Sequence, residues 1–319
     1  MTITLRPHQH KAVAAMWDNS KGQVIIPTGG GKTICMIQDA IHQQAVPTGT
    51  TTVVVAPRIL LAEQLCKEFL ELVSTTHTHV MHVHSGDVEF FHTTNPEKIH
   101  LFANTARTAG ENCIIFTTYH SLHKVQQADI EVNTIYFDEA HNSVQRNFFP
   151  ATEHFSADAD RCYFFTATPK HSVTVFKPGM NDTAVYGNVI CNVPAPQLVE
   201  EGYILPPKVV VQELPQGDLK QSDDKNLLDT IDANSLNKIL IAARSTKQIV
   251  RMVSQTDFCY ELNQRGYNWM YITSKTGAII NGKKVSREQF FKTLNQWGQD
   301  DTRFVIMHHS ILSEGINVK

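Results

Sequence analysis

The sequence predicts an α/β protein of two doubly wound parallel-sheet domains, the second incomplete at its C-terminal end. Three observations predict it. Short β-branched or apolar runs alternate along the chain with segments that are apolar at helical spacing. A glycine-rich turn, Gly29-Gly30-Gly31, joins an early apolar run to an amphipathic segment. An acidic pair, Asp138-Glu139, closes a later apolar run, at the edge where open parallel sheets bind ligands.

The 319 residues correspond to about two domains at ~150 residues each. Composition divides them into 1–170, a connecting segment over 171–205, and 206–319. With 42% hydrophobic and 18% charged residues, the chain can bury sizeable cores. The net charge of −3 gives no global basic field, so a nucleic-acid partner would need a local groove. Six scattered cysteines without a C-x-x-C pair predict reduced thiols in a cytoplasmic setting. No apolar run approaches the ~18 residues of a membrane span, and the N-terminus lacks the apolar core of a signal peptide.

Pro7 suits the first turn of a helix whose apolar face includes Val13, Met16 and Trp17. Gln9, at the start of that helix, is either a solvated residue or a carboxamide for adenine; its place before the glycine loop favours the second. Val24, Ile25 and Ile26 read as a strand end and Pro27-Thr28-Gly29-Gly30-Gly31-Lys32-Thr33 as a phosphate loop. The glycines let successive N–H groups point at one anion. Lys32 adds a point charge for the phosphates, Thr33 a hydroxyl for Mg²⁺, and the following helix, with Ile34, Ile37 and Ile41 on one face, a favourable N-terminal dipole. Ile26 breaks the strict G-x-x-x-x-G-K-[ST] string, and a glycine-rich turn that binds nothing shares this local pattern.

Thr51 to Ala56 reads as a buried strand ended by Pro57. A helix follows over 58–72, with Leu61, Leu65, Phe69 and Leu72 in one stripe. Arg58 at this junction could grip a phosphate, although most such arginines are only solvated. His77, His79, His82 and His84 invite a metal reading, but a short strand splits them between two faces and no acidic or cysteine partner is near in sequence. They are expected to be structural or surface histidines. Cys113 to Thr117 is a strand leading into Thr118-Tyr119-His120-Ser121, either hydroxyls for a sugar-phosphate backbone or an ordinary helix cap.

Thr134 to Phe137 then delivers Asp138, suited to Mg²⁺, and Glu139, suited to positioning and deprotonating water. Cys162 to Thr166 is a strand ending in Thr166-Ala167-Thr168-Pro169. In the second half, strands are expected at 208–214, 238–243, 269–273 and 303–308. Helices are expected near 246–265 and 286–297, the latter with Phe290, Leu294 and Trp297 in register.

In this order these pieces resemble a superfamily 2 helicase core of the DEAH-box kind, related to type III restriction-enzyme helicase subunits and phage repair helicases. Leu5-Arg6-Pro7-His8-Gln9 resembles the adenine-reading segment, Pro27–Thr33 motif I, Ala56-Pro57-Arg58 motif Ia, and Thr117-Thr118-Tyr119 a motif Ib-like segment. Asp138-Glu139-Ala140-His141 spells motif II, Thr166-Ala167-Thr168 resembles motif III, and Gly315-Ile316-Asn317 motif V. Motifs I, II and III together are specific; the others are weak alone.

The resemblance implies two RecA-like domains with ATP and Mg²⁺ between them. Arg6, Gln9, Thr28, Gly29, Gly30, Gly31, Lys32, Thr33, Gly315 and Asn317 would hold the nucleotide, and Thr33 and Asp138 the metal. Lys32, Asp138, Glu139 and His141 would be the catalytic set, with Thr166 and Thr168 coupling nucleotide state to strand grip. Pro57, Arg58, Thr118, Tyr119, Ser245 and Ser274 would touch single- or double-stranded nucleic acid, DNA favoured over RNA. Asn317 replaces a common aspartate. No motif VI occurs before the chain ends, so the resemblance implies a truncated helicase whose arginine fingers come from a further C-terminal segment or a partner chain. Slow turnover by the chain alone is expected, since such a finger is worth roughly 10³–10⁵ in GTPases. The competing readings are an ATP-gated binding module without hydrolysis, a motor subunit of a restriction or repair complex, and a P-loop ATPase with no nucleic-acid role.

Overall fold

The computed structural model describes residues 4–44, 49–74, 76–86, 88–174, 176–206, 208–209, 211, 222–273 and 276–309. The chain divides into two compact units, Met1–Pro207 and Lys208–Lys319. The expected motif V residues Gly315 and Asn317, and Ser274, lie outside the described residues, as does most of the strand expected over 208–214.

The first unit is built on eight strands. They are β1 (Lys21–Ile25), β2 (Thr51–Ala56), β3 (Thr78–Val83), β4 (Phe91–His92), β5 (Asn112–Thr118), β6 (Thr134–Phe137), β7 (Arg161–Thr166) and β8 (Val189–Asn192). Their order is β4-β3-β5-β2-β6-β7-β1-β8, and every pairing is parallel. All eight therefore end at one edge of the sheet, which fixes where the loops carrying polar side chains emerge.

The two-residue period of the strands divides their side chains between two cores. Val54, Phe116, Tyr136, Tyr163 and Phe165 face one side, packed with α1 (Pro7–Asp18), α2 (Lys32–Gln43) and α3 (Ile59–Leu70). Val53, Val55, Ile115, Phe137 and Phe164 face the other, under α4 (Pro96–Thr108), α5 (Leu122–Gln127), α6 (Phe149–Asp158) and α7 (Thr183–Tyr186). Leu198 of α8 (Ala195–Glu200) joins the first core. Strands β2 and β5 are buried along their whole length, which is why their apolar residues run consecutively rather than in alternation.

Two sequence expectations for the first unit differ from the structure. Trp17 does not join Val13 and Met16 in the core; it is 47% exposed and stacks on His42, with ring centroids 4.3 Å apart. Ala12 is buried beside Val13 and Met16 instead. The segment 171–205 is not a free connection. It carries α7, β8 and α8, and β8 completes the sheet beside β1. Gln23 in β1 anchors it from below, its Nε2 donating to the Met180 carbonyl at 2.9 Å and the Gly187 carbonyl at 3.1 Å.

The second unit holds α9 (Asp223–Asn234), β9 (Lys238–Ala242), α10 (Thr246–Gln255), α11 (Phe258–Gln264), β10 (Asn268–Thr273), β11 (Gly277–Ile280), β12 (Lys283–Val285), α12 (Arg287–Gln299) and β13 (Phe304–His308). The sheet order is β12-β11-β10-β13-β9. Strands β10, β13 and β9 are parallel, whereas β11 and β12 pair antiparallel, so this sheet is mixed. The single helix expected over 246–265 is two helices. Thr256 adopts an extended conformation, and its hydroxyl both donates to the Met252 carbonyl and accepts the Phe258 N–H, closing one helix and opening the next.

Candidate functional site

The glycine loop follows β1 and leads directly into α2. Gly29 and Gly31 have φ of +81° and +85°, the left-handed region that side chains other than glycine rarely adopt. At Gly31 a Cβ would also lie 2.3 Å from Gln9 Nε2. Gln9 is buried and holds the loop from α1: Nε2 donates to the Gly30 carbonyl at 3.1 Å, and Oε1 accepts the Arg6 N–H at 2.9 Å. His8 approaches the same carbonyl, Nε2 to Gly30 O at 2.8 Å. Thr28 is exposed on the loop, and Thr33 is partly buried in the first turn of α2.

The acidic pair follows β6 at the same edge. Glu139 sits in the left-handed region at φ +46°, a strained conformation for this residue type. It turns its carboxylate onto Lys32, 3.2 Å from Nζ, with both side chains nearly buried. His141 lies 3.5 Å from the other Glu139 oxygen and 3.0 Å, Nδ1 to Oγ1, from Thr166 at the end of β7. Thr166 Oγ1 also accepts the Thr168 N–H at 3.1 Å. Lys32, Glu139, His141, Thr166 and Thr168 thus form one polar chain across the loops after β1, β6 and β7. Asp138 is buried beside it. Burial, and then the Glu139 charge, push its carboxyl up to about 7, while Lys32 pulls the other way.

A second polar group lies beneath. Asp39 of α2, fully buried, accepts Tyr136 Oη at 2.7 Å and Arg161 at 2.9 Å. The Arg161 guanidinium donates to Tyr163 Oη, which donates to the Met16 carbonyl at 2.6 Å. This network ties the helix behind the glycine loop to the strand that ends in Asp138, and no sequence motif announces it.

Two residues expected to touch a polymer are buried. Tyr119 is 2% exposed, and its hydroxyl donates to the Asp138 carbonyl at 2.8 Å. Thr118 is buried beside it. The Tyr119 ring is drawn under the sheet edge, where it braces the acidic loop. Pro57 is partly buried and Arg58 exposed, after β2 at the same edge as the glycine loop. Ser245, in the second unit, is the N-cap of α10 and accepts the Gln248 N–H at 3.2 Å.

The histidines split as their spacing predicts. His82 and His84 are buried and hydrogen-bonded to each other at 3.0 Å. Burial first, with His84 and His92 adding like charge around His82 and His92 around His84, lowers both to about 4. His77 and His79 instead bond Glu111, an acidic partner distant in sequence. Among the described residues, no group of three or more His, Cys, Asp or Glu side chains is arranged to hold a metal ion. No helix of the described residues is long and apolar enough to cross a membrane.

A parallel sheet with a glycine loop after β1, and an acid–histidine pair bridged to the end of β7, defines a RecA-like α/β fold. The profile of the family described as "Type III restriction enzyme, res subunit" matches residues 2–171, and the chain belongs to that family. Two solved structures share the fold. The ATP-dependent Type ISP restriction-modification enzyme LlaBIII bound to DNA matches at TM-score 0.73 and 17% identity, over 99% of this chain and 25% of that one. A nuclease-deletion mutant of the Type ISP restriction-modification enzyme LlaGI, in complex with a DNA substrate mimic, matches at TM-score 0.53 and 20% identity, over 72% of this chain and 22% of that one. The chain thus spans at most about a quarter of the length of these enzymes. No curated protein sequence matches it.

Proposed function

We propose that the chain is an ATP-driven motor that acts on nucleic acid, with DNA favoured over RNA, and that it works within a larger restriction or repair machine. The observation that carries this reading is the polar chain Lys32–Glu139–His141–Thr166, which links a phosphate loop to the ends of two other strands. Membership of the restriction res subunit family supports the motor, and the DNA in both related structures supports the choice of polymer.

The chain's own residues fit the roles. The loop amides of Gly29 to Lys32 and the Lys32 ammonium would take the phosphates. Thr33 and Asp138 offer a hydroxyl and a carboxylate, the hard oxygen donors that Mg²⁺ prefers; bound there, the ion would neutralise phosphate charge. Phosphates at the loop would draw Lys32 Nζ away from Glu139. Its carboxylate, released from the ion pair, would then orient a water and accept its proton. His141 would pass the altered position of Glu139 to Thr166 and so to the segment after β7. The DEAH-box assignment rests on Asp138-Glu139-Ala140-His141 taking these roles.

Steady-state ATP hydrolysis with and without single-stranded DNA, RNA and a forked duplex tests the reading. Stimulation by DNA supports it, stimulation by RNA alone reassigns the polymer, and ATP binding without hydrolysis or any nucleic-acid affinity removes the motor.

A further inference from the structure

The turn after α8 carries an aromatic ring onto the glycine loop. Gly202, at φ +72°, ends α8, and the Tyr203 and Ile204 N–H groups return to the Leu198 carbonyl at 2.8 and 3.2 Å. This closure seats Ile204 against Gly29, where a Cβ would meet its Cγ2 at 3.2 Å, and Leu198 against Gly30, at 3.0 Å. Tyr203 faces the start of α1. Its ring centroid lies 4.7 Å from the Arg6 guanidinium carbon and 5.4 Å from the His8 ring, and His8 in turn reaches Gly30. With Nε2 donating to Gly30, His8 Nδ1 is left as a buried acceptor without a partner among the described residues.

We infer that Tyr203, backed by Arg6, is the stacking surface for the base of the nucleotide whose phosphates the glycine loop holds. This rests on the nucleotide-site reading above. A base lies one ribose from its phosphates, so its platform must stand beside the loop. Tyr203 stands there, partly exposed, with a planar cation on its ring. The segment of the first unit that carries α7, β8 and α8 thereby supplies part of the binding site. Stacking recognises a π-face rather than hydrogen-bonding edges, so the platform itself accepts either purine.

Calorimetric titration of the full chain with ATP and with inorganic tripolyphosphate, both with Mg²⁺, separates the base from the phosphates. Tyr203→Ala should raise the Kd for ATP on the order of tenfold, the effect of one lost stacking contact, and leave tripolyphosphate binding unchanged. Tyr203→Phe should bind both as the unsubstituted chain does. Equal ATP affinity in Tyr203→Ala overturns the inference, as does a parallel loss of ATP and tripolyphosphate, which would mark a purely structural ring. An unsubstituted chain that binds neither ligand overturns the nucleotide-site reading itself.

Discussion

The central strands β6, β7 and β1 and the outer strands β3 and β4 both gather titratable side chains, with opposite results. At the centre the groups are complementary: Lys32 meets Glu139, and Arg161 meets Asp39. At the outer side they are alike: His82 and His84 are held together and driven neutral by burial, with His92 near enough to add to the shift. A buried cluster of one charge type can persist only by giving up its charge. A buried cluster of both signs keeps its charges and can exchange partners, which phosphate binding requires. Both clusters are largely buried, and the signs of their charges distinguish them.

The contrast predicts an ordered series of effects. Glu139→Gln keeps the shape and removes the base. ATP hydrolysis should fall by about 10²–10⁴, with ATP binding retained, as measured by single-turnover kinetics alongside titration. Lys32→Ala should weaken ATP binding itself. Hydrolysis left intact in Glu139→Gln would place the base elsewhere.

Next in size is Asp39→Ala, which leaves Arg161 buried without its counter-charge. Losses from such half-broken pairs run to about 3–5 kcal/mol, readable in urea unfolding. A change below 1 kcal/mol would mean that Arg161 finds water instead.

The neutral histidines predict a pH dependence. Their folded values, about 4, lie below the ordinary 6.5, so the unfolded chain binds more protons between these limits. Their contribution is whole above about 6.5 and is lost as pH falls towards 4, at no more than about 1.4 kcal/mol per pH unit for each ring. Thermal unfolding from pH 7 to 4.5 should show the decline, and His82→Phe should flatten it. An unchanged slope in that variant would assign the acid sensitivity to other groups.

The smallest effect separates two roles for Tyr119. Tyr119→Phe leaves the Asp138 carbonyl without its hydroxyl donor and should cost about 1 kcal/mol of stability. A polymer contact would instead lower DNA affinity at unchanged stability.

The loop after β1 and the ends of β6 and β7 were legible as polar sites because a glycine run, an acidic pair and two threonines each close an apolar run. The buried strands were legible because β2 and β5 hold short apolar runs, over 53–56 and 113–116, each bordered by threonines. What escaped depends on long-range packing. Tyr119 reads as a surface hydroxyl until its burial is known, and Asp39 and Arg161 are far apart in sequence with nothing local to pair them. The β11–β12 hairpin was there to be read: Asn281-Gly282 is the dipeptide of a two-residue turn, and Asn281 and Gly282 both have positive φ. The break at Thr256-Asp257 was hidden because the apolar spacing continues through it.

The return of the chain as β8 bears on how the first unit can be dissected. A recombinant fragment ending near residue 171 would retain every residue of the polar chain from Lys32 to Thr168, yet would strip β1 of its outer neighbour. Gln23 would lose both carbonyls that anchor its amide, and β1 would become a bare edge open to intermolecular pairing. Such a piece should precipitate, whereas one carried through Ile204 should remain monodisperse, so the smallest piece of the first unit fit for crystallisation or screening is set by a strand that carries none of the motifs.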